Sequence, residues 1–245
     1  MASATHAGSR LQQPDAQGRL PDPDLLRLGS LHEDLIGQGH LASESMLRAL
    51  RLAIHLKRPL LLDGPSGAGK THFAESFAHA RCLPLIRLTA HADLQREDAA
   101  YDWNHSRQLL ALRLIRRLES PGAEIPIPSL YNAANLIVKP LLRAIRESNP
   151  GRPAVLIIEG LEQSRASLDS VLQPFLDEYR IDVDGLGSLR AEQAPLVFIT
   201  TQDARRMADS IRRPCIYQHC PYPDALREIQ ILKIAVPDAP QRLGQ

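Results

Sequence analysis

The chain has 245 residues, of which 44% are hydrophobic and 23% are charged, and its formal net charge at pH 7 is +1. These shares are ordinary for a globular protein and exclude a chain that is disordered throughout, and the near-neutral charge argues against a dedicated nucleic-acid-binding protein. The sequence contains no run of about 18 apolar residues, so it predicts no transmembrane helix.

Residues 1–30 are polar and rich in Ala, Gly, Pro and Gln, without periodic apolar positions. This composition predicts a flexible tail, and the lack of an apolar h-region argues against a secretory signal. The chain has three cysteines, too few for a disulfide framework. Cys215, His219 and Cys220 lack the spacing and the fourth ligand of a zinc knuckle. The sequence therefore indicates a cytoplasmic protein with reduced thiols.

Residues 31–236 alternate between short apolar runs and segments with apolar residues at helical spacing. The apolar runs, predicted to be buried strands, are 59–62, 85–88, 154–158, 196–200 and 215–218. The predicted helices are 43–56, 70–82, 106–118, 130–147, 165–179, 204–212 and 224–235. This alternation predicts an α/β fold with a mostly parallel, five-stranded sheet. Residues 180–191, with Gly185 and Gly187, are predicted to form a β-hairpin inserted before the fourth strand.

The segment between the first strand and the next helix matches the phosphate-loop pattern G-x-x-x-x-G-K-[ST] completely. Its residues are Gly64, Pro65, Ser66, Gly67, Ala68, Gly69, Lys70 and Thr71. Glycines let backbone N–H groups turn onto phosphate oxygens, and the dipole of the following helix favours the same anion. The pattern predicts that Lys70 contacts the β- and γ-phosphates of ATP and that the Thr71 hydroxyl binds Mg²⁺. An ordinary glycine turn explains neither residue.

A second acidic element is expected at the end of a neighbouring strand. Glu159 ends the third apolar run and is predicted to bind Mg²⁺, but Gly160 replaces the glutamate that usually follows and polarises the attacking water. Loss of a positioned base typically lowers a rate ~10²–10⁴-fold. The sequence therefore predicts slow hydrolysis that Gly160→Glu raises. Glu162 lies two residues further along, and the sequence alone gives it no role.

Several segments of the chain resemble the MoxR-like AAA+ ATPases, over residues 35–232. They are 58–71, 99–110, 138–145, the hairpin 180–191, and 212–224. The resemblance implies a three-layer P-loop NTPase core and a homo- or hetero-oligomeric ring with ATP bound between subunits. It also implies chaperone-like remodelling during maturation of a protein complex or metalloenzyme, often with a von Willebrand factor A-type partner.

The same resemblance gives candidate roles to residues outside the phosphate loop. Gln202 stands at the sensor 1 position, usually Asn, from which an amide contacts the γ-phosphate or water. Arg212 and Arg213 are candidates for an arginine finger that reaches the neighbouring subunit, with a solvated helix end as the alternative. His40 lies where the family approaches adenine, or is a surface residue.

Other choices remain open from the sequence. Tyr101 and Trp103 either line a partner surface or anchor the core. Residues 237–245 are predicted to be a tail, too short for the helical lid that usually follows such a core. The function is a remodelling ATPase, a non-hydrolysing nucleotide-binding subunit of a mixed assembly, or a P-loop kinase of small molecules. The kinase reading leaves the hairpin and the Arg212–Arg213 pair unexplained.

Overall fold

The computed structural model describes residues 30–118, 130–164 and 168–235, so most of the predicted N-terminal tail and all of the C-terminal one lie outside the described residues. The strands are β1 (Leu60–Asp63), β2 (Leu85–Thr89), β3 (Tyr101–Trp103), β4 (Leu136–Val138), β5 (Val155–Glu159), β6 (Arg180–Val183), β7 (Gly187–Arg190), β8 (Leu196–Thr201) and β9 (Ile216–His219). The α-helices are α1 (Leu31–Gly37), α2 (Glu44–Leu56), α3 (Lys70–Ala80), α4 (Arg96–Ala99), α5 (His105–Leu118), α6 (Pro140–Glu147), α7 (Asp169–Glu178), α8 (Asp209–Arg212) and α9 (Ala225–Ala235).

Five strands form the central sheet in the order β2-β5-β8-β1-β9, and every neighbouring pair is parallel. The five strands predicted from apolar runs are confirmed, each within one residue. Because all of them run in one direction, their last residues meet at one edge of the sheet. Those residues are Asp63, Thr89, Glu159, Thr201 and His219. In open α/β sheets, ligands bind at this carboxyl edge.

Side chains along each central strand alternate between two apolar clusters, one on each face of the sheet. Leu60 and Leu62 pack with α1, α2 and α3 on one face, whereas Leu61 packs with α6 and α7 on the other. The alternation follows from the two-residue period of a strand. Two helical layers around a parallel sheet confirm the predicted three-layer α/β fold.

The predicted helix 130–147 is wrong over its first half. Residues 136–138 form β4, which pairs antiparallel with β3, and the helix begins only at Pro140. Pro140 occupies the first helical position, where its missing N–H is not needed. A residue before proline disfavours the helical region, and Lys139 is extended with φ −105° and ψ 173°. A helix could not have continued through this point.

The predicted helix 204–212 is also wrong as a continuous element. Residues 204–206 form a 3₁₀ turn, Met207 is extended, and only Asp209–Arg212 is α-helical. The Asp203 side chain accepts a hydrogen bond from the Arg205 N–H and so caps the turn. Met207 is buried at 5% exposure. Local capping and burial of Met207 therefore divide the segment.

The other predicted elements are found in the described residues. The hairpin 180–191 is confirmed as antiparallel β6 and β7. The described part of the predicted helix 165–179 is α7, which continues through Pro174, while residues 165–167 lie outside the described residues. No helix in the described part of the chain is both long enough and apolar enough to span a membrane.

Tyr101 and Trp103 are core residues, at 5% and 8% exposure. The Trp103 ring packs edge-on against Tyr131 at 5.1 Å between centroids. The Tyr101 hydroxyl accepts a hydrogen bond from Arg96 and donates one to the Asp184 carboxylate at 3.1 Å. Both aromatics thus anchor the β3–β4 ribbon, and Tyr101 links it to the inserted hairpin.

Candidate functional site

The loop between β1 and α3 packs closely against the backbone that follows β9. A Cβ atom at Gly64 would lie 2.1 Å from the carbonyl oxygen of Cys220, so this position accepts only glycine. The loop ends at Gly69, and α3 begins at Lys70. The segment therefore consists of a strand, a tight loop and the N-terminus of an 11-residue helix. This arrangement is suited to binding phosphate.

Lys70 is the first residue of α3, and its side chain reaches back to the loop. Its side chain is buried, and its Nζ donates hydrogen bonds to the carbonyl oxygens of Gly64 at 2.7 Å and Pro65 at 2.6 Å. Burial lowers the pKa of Lys70, while the charges of Asp63 and Glu162 act in the opposite direction. The ammonium group is thus held at the mouth of the loop by two carbonyls, which phosphate oxygens can replace.

Thr71 and Glu159 supply oxygen ligands beside the loop. The Thr71 hydroxyl donates a hydrogen bond to Glu159 Oε1 at 2.6 Å, which joins the start of α3 to the end of β5. A hydroxyl and a carboxylate suit Mg²⁺, which takes one or two protein ligands together with phosphate and water. Among the described residues no three or more His, Cys, Asp and Glu side chains are grouped so that they could hold a metal ion by themselves. The pair therefore fits a magnesium ion that is shared with a phosphorylated ligand.

A cleft of about 550 Å³ opens above the carboxyl edge of the sheet. Of the residues predicted from the sequence, it brings together Ser66, Gly67, Gly69, Lys70, Thr71, Glu159 and Gln202. Its volume is that of an ordinary small-molecule site. Gln202 lies at the edge of the cleft as an exposed residue, one position after the end of β8.

Gly160 follows Glu159 in a backbone conformation that a side chain cannot easily adopt. Its φ is +73°, and a Cβ atom there would lie 2.8 Å from the carbonyl oxygen of Ala90. The Ala90 N–H donates a hydrogen bond to the Glu159 carbonyl at 2.7 Å, so Ala90 is fixed in place. A glutamate at this position would therefore be strained and would clash with the Ala90 carbonyl, which the sequence could not reveal.

Glu162 lines the same cleft and was given no role by the sequence. Thr201 donates a hydrogen bond to its Oε2 at 2.9 Å, and the Gln202 N–H donates one to its Oε1 at 3.4 Å. The only sequence signal for Glu162 is its place three residues after Glu159. Such proximity does not say which way the side chain turns.

Arg212 and Arg213 lie outside the cleft that contains Lys70. Arg212 forms an ion pair with Asp209 at the end of α8. It also lines a second cleft, of about 660 Å³, on the Asp63 side of the phosphate loop. Arg213 is exposed. Neither arginine therefore reaches the Thr71–Glu159 pair within this chain.

His40 is buried at 8% exposure, so the alternative of a surface residue is wrong. It lies in a mainly apolar cleft of about 520 Å³ that shares Gly67, Gly69 and His72 with the first cleft. Its Nδ1 is 3.0 Å from Nδ1 of His72, and its buried Nε2 has no hydrogen-bond partner. An apolar space with one free polar atom beside a phosphate loop can take the base and sugar of a nucleotide.

Stability should depend on pH through His40. Burial, together with the charges of His72 and Arg227, lowers the pKa of His40 from 6.5 to about 4. Between these values the unfolded chain binds more protons than the folded one, so lowering the pH weakens the fold. We expect His40 to account for about 2 kcal/mol of the stability lost between pH 7 and pH 5.

Denaturant titration at the two pH values measures this loss. His40→Asn should remove the part of this pH-dependent stability loss that comes from His40. His55 is exposed, so His55→Asn should leave the loss unchanged. An equal pH dependence in the wild type and in His40→Asn would contradict the assignment.

Comparison with known proteins gives one family match and several relatives. Residues 59–212, more than half of the chain, match the family model described as AAA domain (dynein-related subfamily). Protein NorQ of Paracoccus denitrificans is 26% identical over 182 residues, which are 71% of this chain and 56% of that protein. An uncharacterized protein of Staphylococcus epidermidis is 24% identical over 139 residues, 57% of this chain and 44% of that protein.

A solved structure of a candidate ATPase from Cytophaga hutchinsonii has the same fold. The two superpose with a TM-score of 0.56 at 15% sequence identity. The matched region is 85% of this chain and 55% of the chain in that structure. At that identity the likeness shows the fold alone. The chain spans about half the length of the relatives that it matches.

Proposed function

Because this chain belongs to the AAA domain family, in its dynein-related subfamily, we propose that it binds Mg-ATP at the carboxyl edge of its sheet. It is an AAA+ P-loop ATPase domain of MoxR-like type, as its sequence resemblance predicts. The observation that carries the proposal is Lys70 at the start of α3, facing the same cleft as the Thr71–Glu159 pair.

Each part of the cleft has a role in binding. The N–H groups of residues 66–71 and the N-terminus of α3 take the phosphate oxygens. Lys70 exchanges its two carbonyl partners for oxygens of the β- and γ-phosphates. Thr71 and Glu159 would hold Mg²⁺, which neutralises charge on the phosphates when it is bound. The cleft around His40 takes the adenosine.

The assembly is a further part of the proposal. We propose a homo- or hetero-oligomeric ring with the nucleotide between subunits, since a single chain leaves the arginines away from the Thr71–Glu159 pair. Arg213 is exposed and suits an arginine finger toward a neighbouring subunit. Arg212 is paired with Asp209, and we propose that this ion pair orients the turn that carries Arg213. Gln202 at the cleft edge is proposed as the sensor of the γ-phosphate.

The cellular role proposed here is chaperone-like remodelling in the cytoplasm. The similarity to NorQ and the MoxR-like type support it. A von Willebrand factor A-type protein is the proposed partner, and the proposed product is a matured complex or metalloenzyme.

A non-hydrolysing, regulatory subunit is the second candidate function. Gly160 favours it, because a side chain at the position that usually carries the water-polarising glutamate would be strained here. Both candidates bind ATP, and they differ in turnover. A P-loop kinase, the third reading from the sequence, would transfer the γ-phosphate to a metabolite.

ATP turnover measured together with native mass tests the proposal. We expect ATP with Mg²⁺ to convert the 27.1 kDa chain into a ring, and that ring to release phosphate to water slowly. ADP in place of ATP is the control for the nucleotide state. A chain that stays monomeric at saturating ATP would contradict the ring, and phosphate found on a metabolite would favour the kinase.

A further inference from the structure

The chain leaves β5 through a turn that brings an acidic side chain back over the cleft. Gly160, at φ +73°, leads into a 3₁₀ turn of residues Leu161–Gln163. Leu161 is buried at 6% exposure and fixes the turn to the core. The turn is closed by a hydrogen bond from the Gln163 N–H to the Gly160 carbonyl at 2.9 Å. The position of Glu162 is therefore determined by the core and by the backbone.

The carboxylate of Glu162 is held by two donors from the end of β8. Thr201 Oγ1 donates to Oε2 at 2.9 Å, and the Gln202 N–H donates to Oε1 at 3.4 Å. Thr201 is buried at 2% exposure, so its hydroxyl is a fixed reference point. Each carboxylate oxygen can accept about two hydrogen bonds. Both oxygens thus retain capacity to accept a further hydrogen bond, such as one from water.

The other carboxylates near the loop have different partners. Glu159 accepts the Thr71 hydroxyl and faces the proposed magnesium position. Asp63 accepts hydrogen bonds from the Tyr217 hydroxyl at 2.7 Å and the Ala204 N–H at 3.0 Å. Among the described residues that line the cleft, Glu159 and Glu162 are the carboxylates. Of these two carboxylates, Glu159 is hydrogen-bonded to Thr71, whereas Glu162 is hydrogen-bonded to the end of β8.

We propose that Glu162 is the catalytic carboxylate that orients and deprotonates the attacking water, in place of a glutamate at position 160. The proposal rests on the function proposed above, which is binding of Mg-ATP. The water oxygen forms a bond to the γ-phosphorus with its electron pair, and the bond from that phosphorus to the bridging oxygen breaks. ADP leaves with the bond electrons. The water proton passes to a Glu162 oxygen and from there to solvent.

Hydrolysis and binding must be measured separately to test this role. We expect Glu162→Gln to lower single-turnover hydrolysis by ~10²–10⁴-fold, with an ATP Kd and a Tm of the nucleotide-free protein close to those of the wild type. Glu192→Gln is the matched control, because Glu192 is exposed in the loop before β8. It should leave hydrolysis, Kd and Tm unchanged.

A second variant separates catalysis from a structural role. Glu162→Ala should lose hydrolysis to a similar extent, and added formate should restore part of it by replacing the missing carboxylate. A lower Tm in both variants, together with hydrolysis that formate does not restore, would overturn the proposal in favour of a structural role. Full hydrolysis by Glu162→Gln, or binding without any turnover in the assembled wild type, would overturn it while leaving ATP binding intact. A wild type that does not bind ATP would overturn the proposed function itself.

Two histidines of the cleft are the competing bases. His72 Nδ1 faces His40 at 3.0 Å, and His91 is exposed at the edge. A loss of hydrolysis in His91→Ala, with none in Glu162→Gln, would assign the proton transfer to His91 and overturn the proposal.

Discussion

We expect Lys70→Ala to abolish measurable ATP binding, with a Kd raised at least ~100-fold, because charge-assisted hydrogen bonds to phosphate contribute about 1.5–3 kcal/mol each. The ammonium lies at the start of α3. Among the described residues that line the cleft, Lys70 is the only lysine or arginine. Equilibrium binding of a fluorescent ATP analogue with Mg²⁺ measures the change.

Controls for Lys70→Ala must separate binding from folding. The substitution also removes hydrogen bonds to the carbonyls of Gly64 and Pro65, so thermal unfolding of the nucleotide-free variant is measured in parallel. Lys233→Ala, an exposed lysine on α9, should bind ATP as the wild type does. A folded Lys70→Ala variant with unchanged ATP affinity would sink the phosphate-loop assignment.

Gly160→Ala should lower the free energy of unfolding by about 2–4 kcal/mol, because a side chain there adopts the left-handed region and meets a fixed carbonyl. The clash is with the Ala90 oxygen, 2.8 Å from the added Cβ atom. Denaturant titration measures the free energy, and for a chain of this size each kcal/mol lowers Tm by ~2–4 °C. Gly160→Glu should be destabilised at least as much and should not hydrolyse ATP faster.

Gly151→Ala is the matched control for this strain. Gly151 has φ +78°, close to that of Gly160, but a Cβ atom there would meet nothing within 4 Å. It should therefore lose only about 1 kcal/mol, the cost of the backbone conformation. Equal losses in the two alanine variants would show that the Ala90 contact does not matter. Faster hydrolysis by Gly160→Glu would restore the expectation drawn from the sequence alone.

The elements that the sequence predicted well are those with a local signal. The central strands are short apolar runs between polar turns, and the hairpin is marked by Gly185 and Gly187. The misjudged helices had apolar residues at suitable spacing but a local break within them. Pro140 was a visible signal for the first break, because the residue before a proline avoids the helical region. Burial of Met207, which divides the second, depends on packing and was not visible.

The sequence by itself determined the phosphate loop, because eight consecutive residues contain both the glycines and the groups that contact phosphate and magnesium. It also determined the α/β class through the alternation of strands and helices. Only the tertiary structure decided how the cleft is completed. The ends of β2, β5 and β8 come from distant parts of the chain and meet in one sheet. Their contact sets Ala90 against Gly160, and Thr201 against Glu162. Spacing along a chain does not encode such contacts, since they depend on strand order and register.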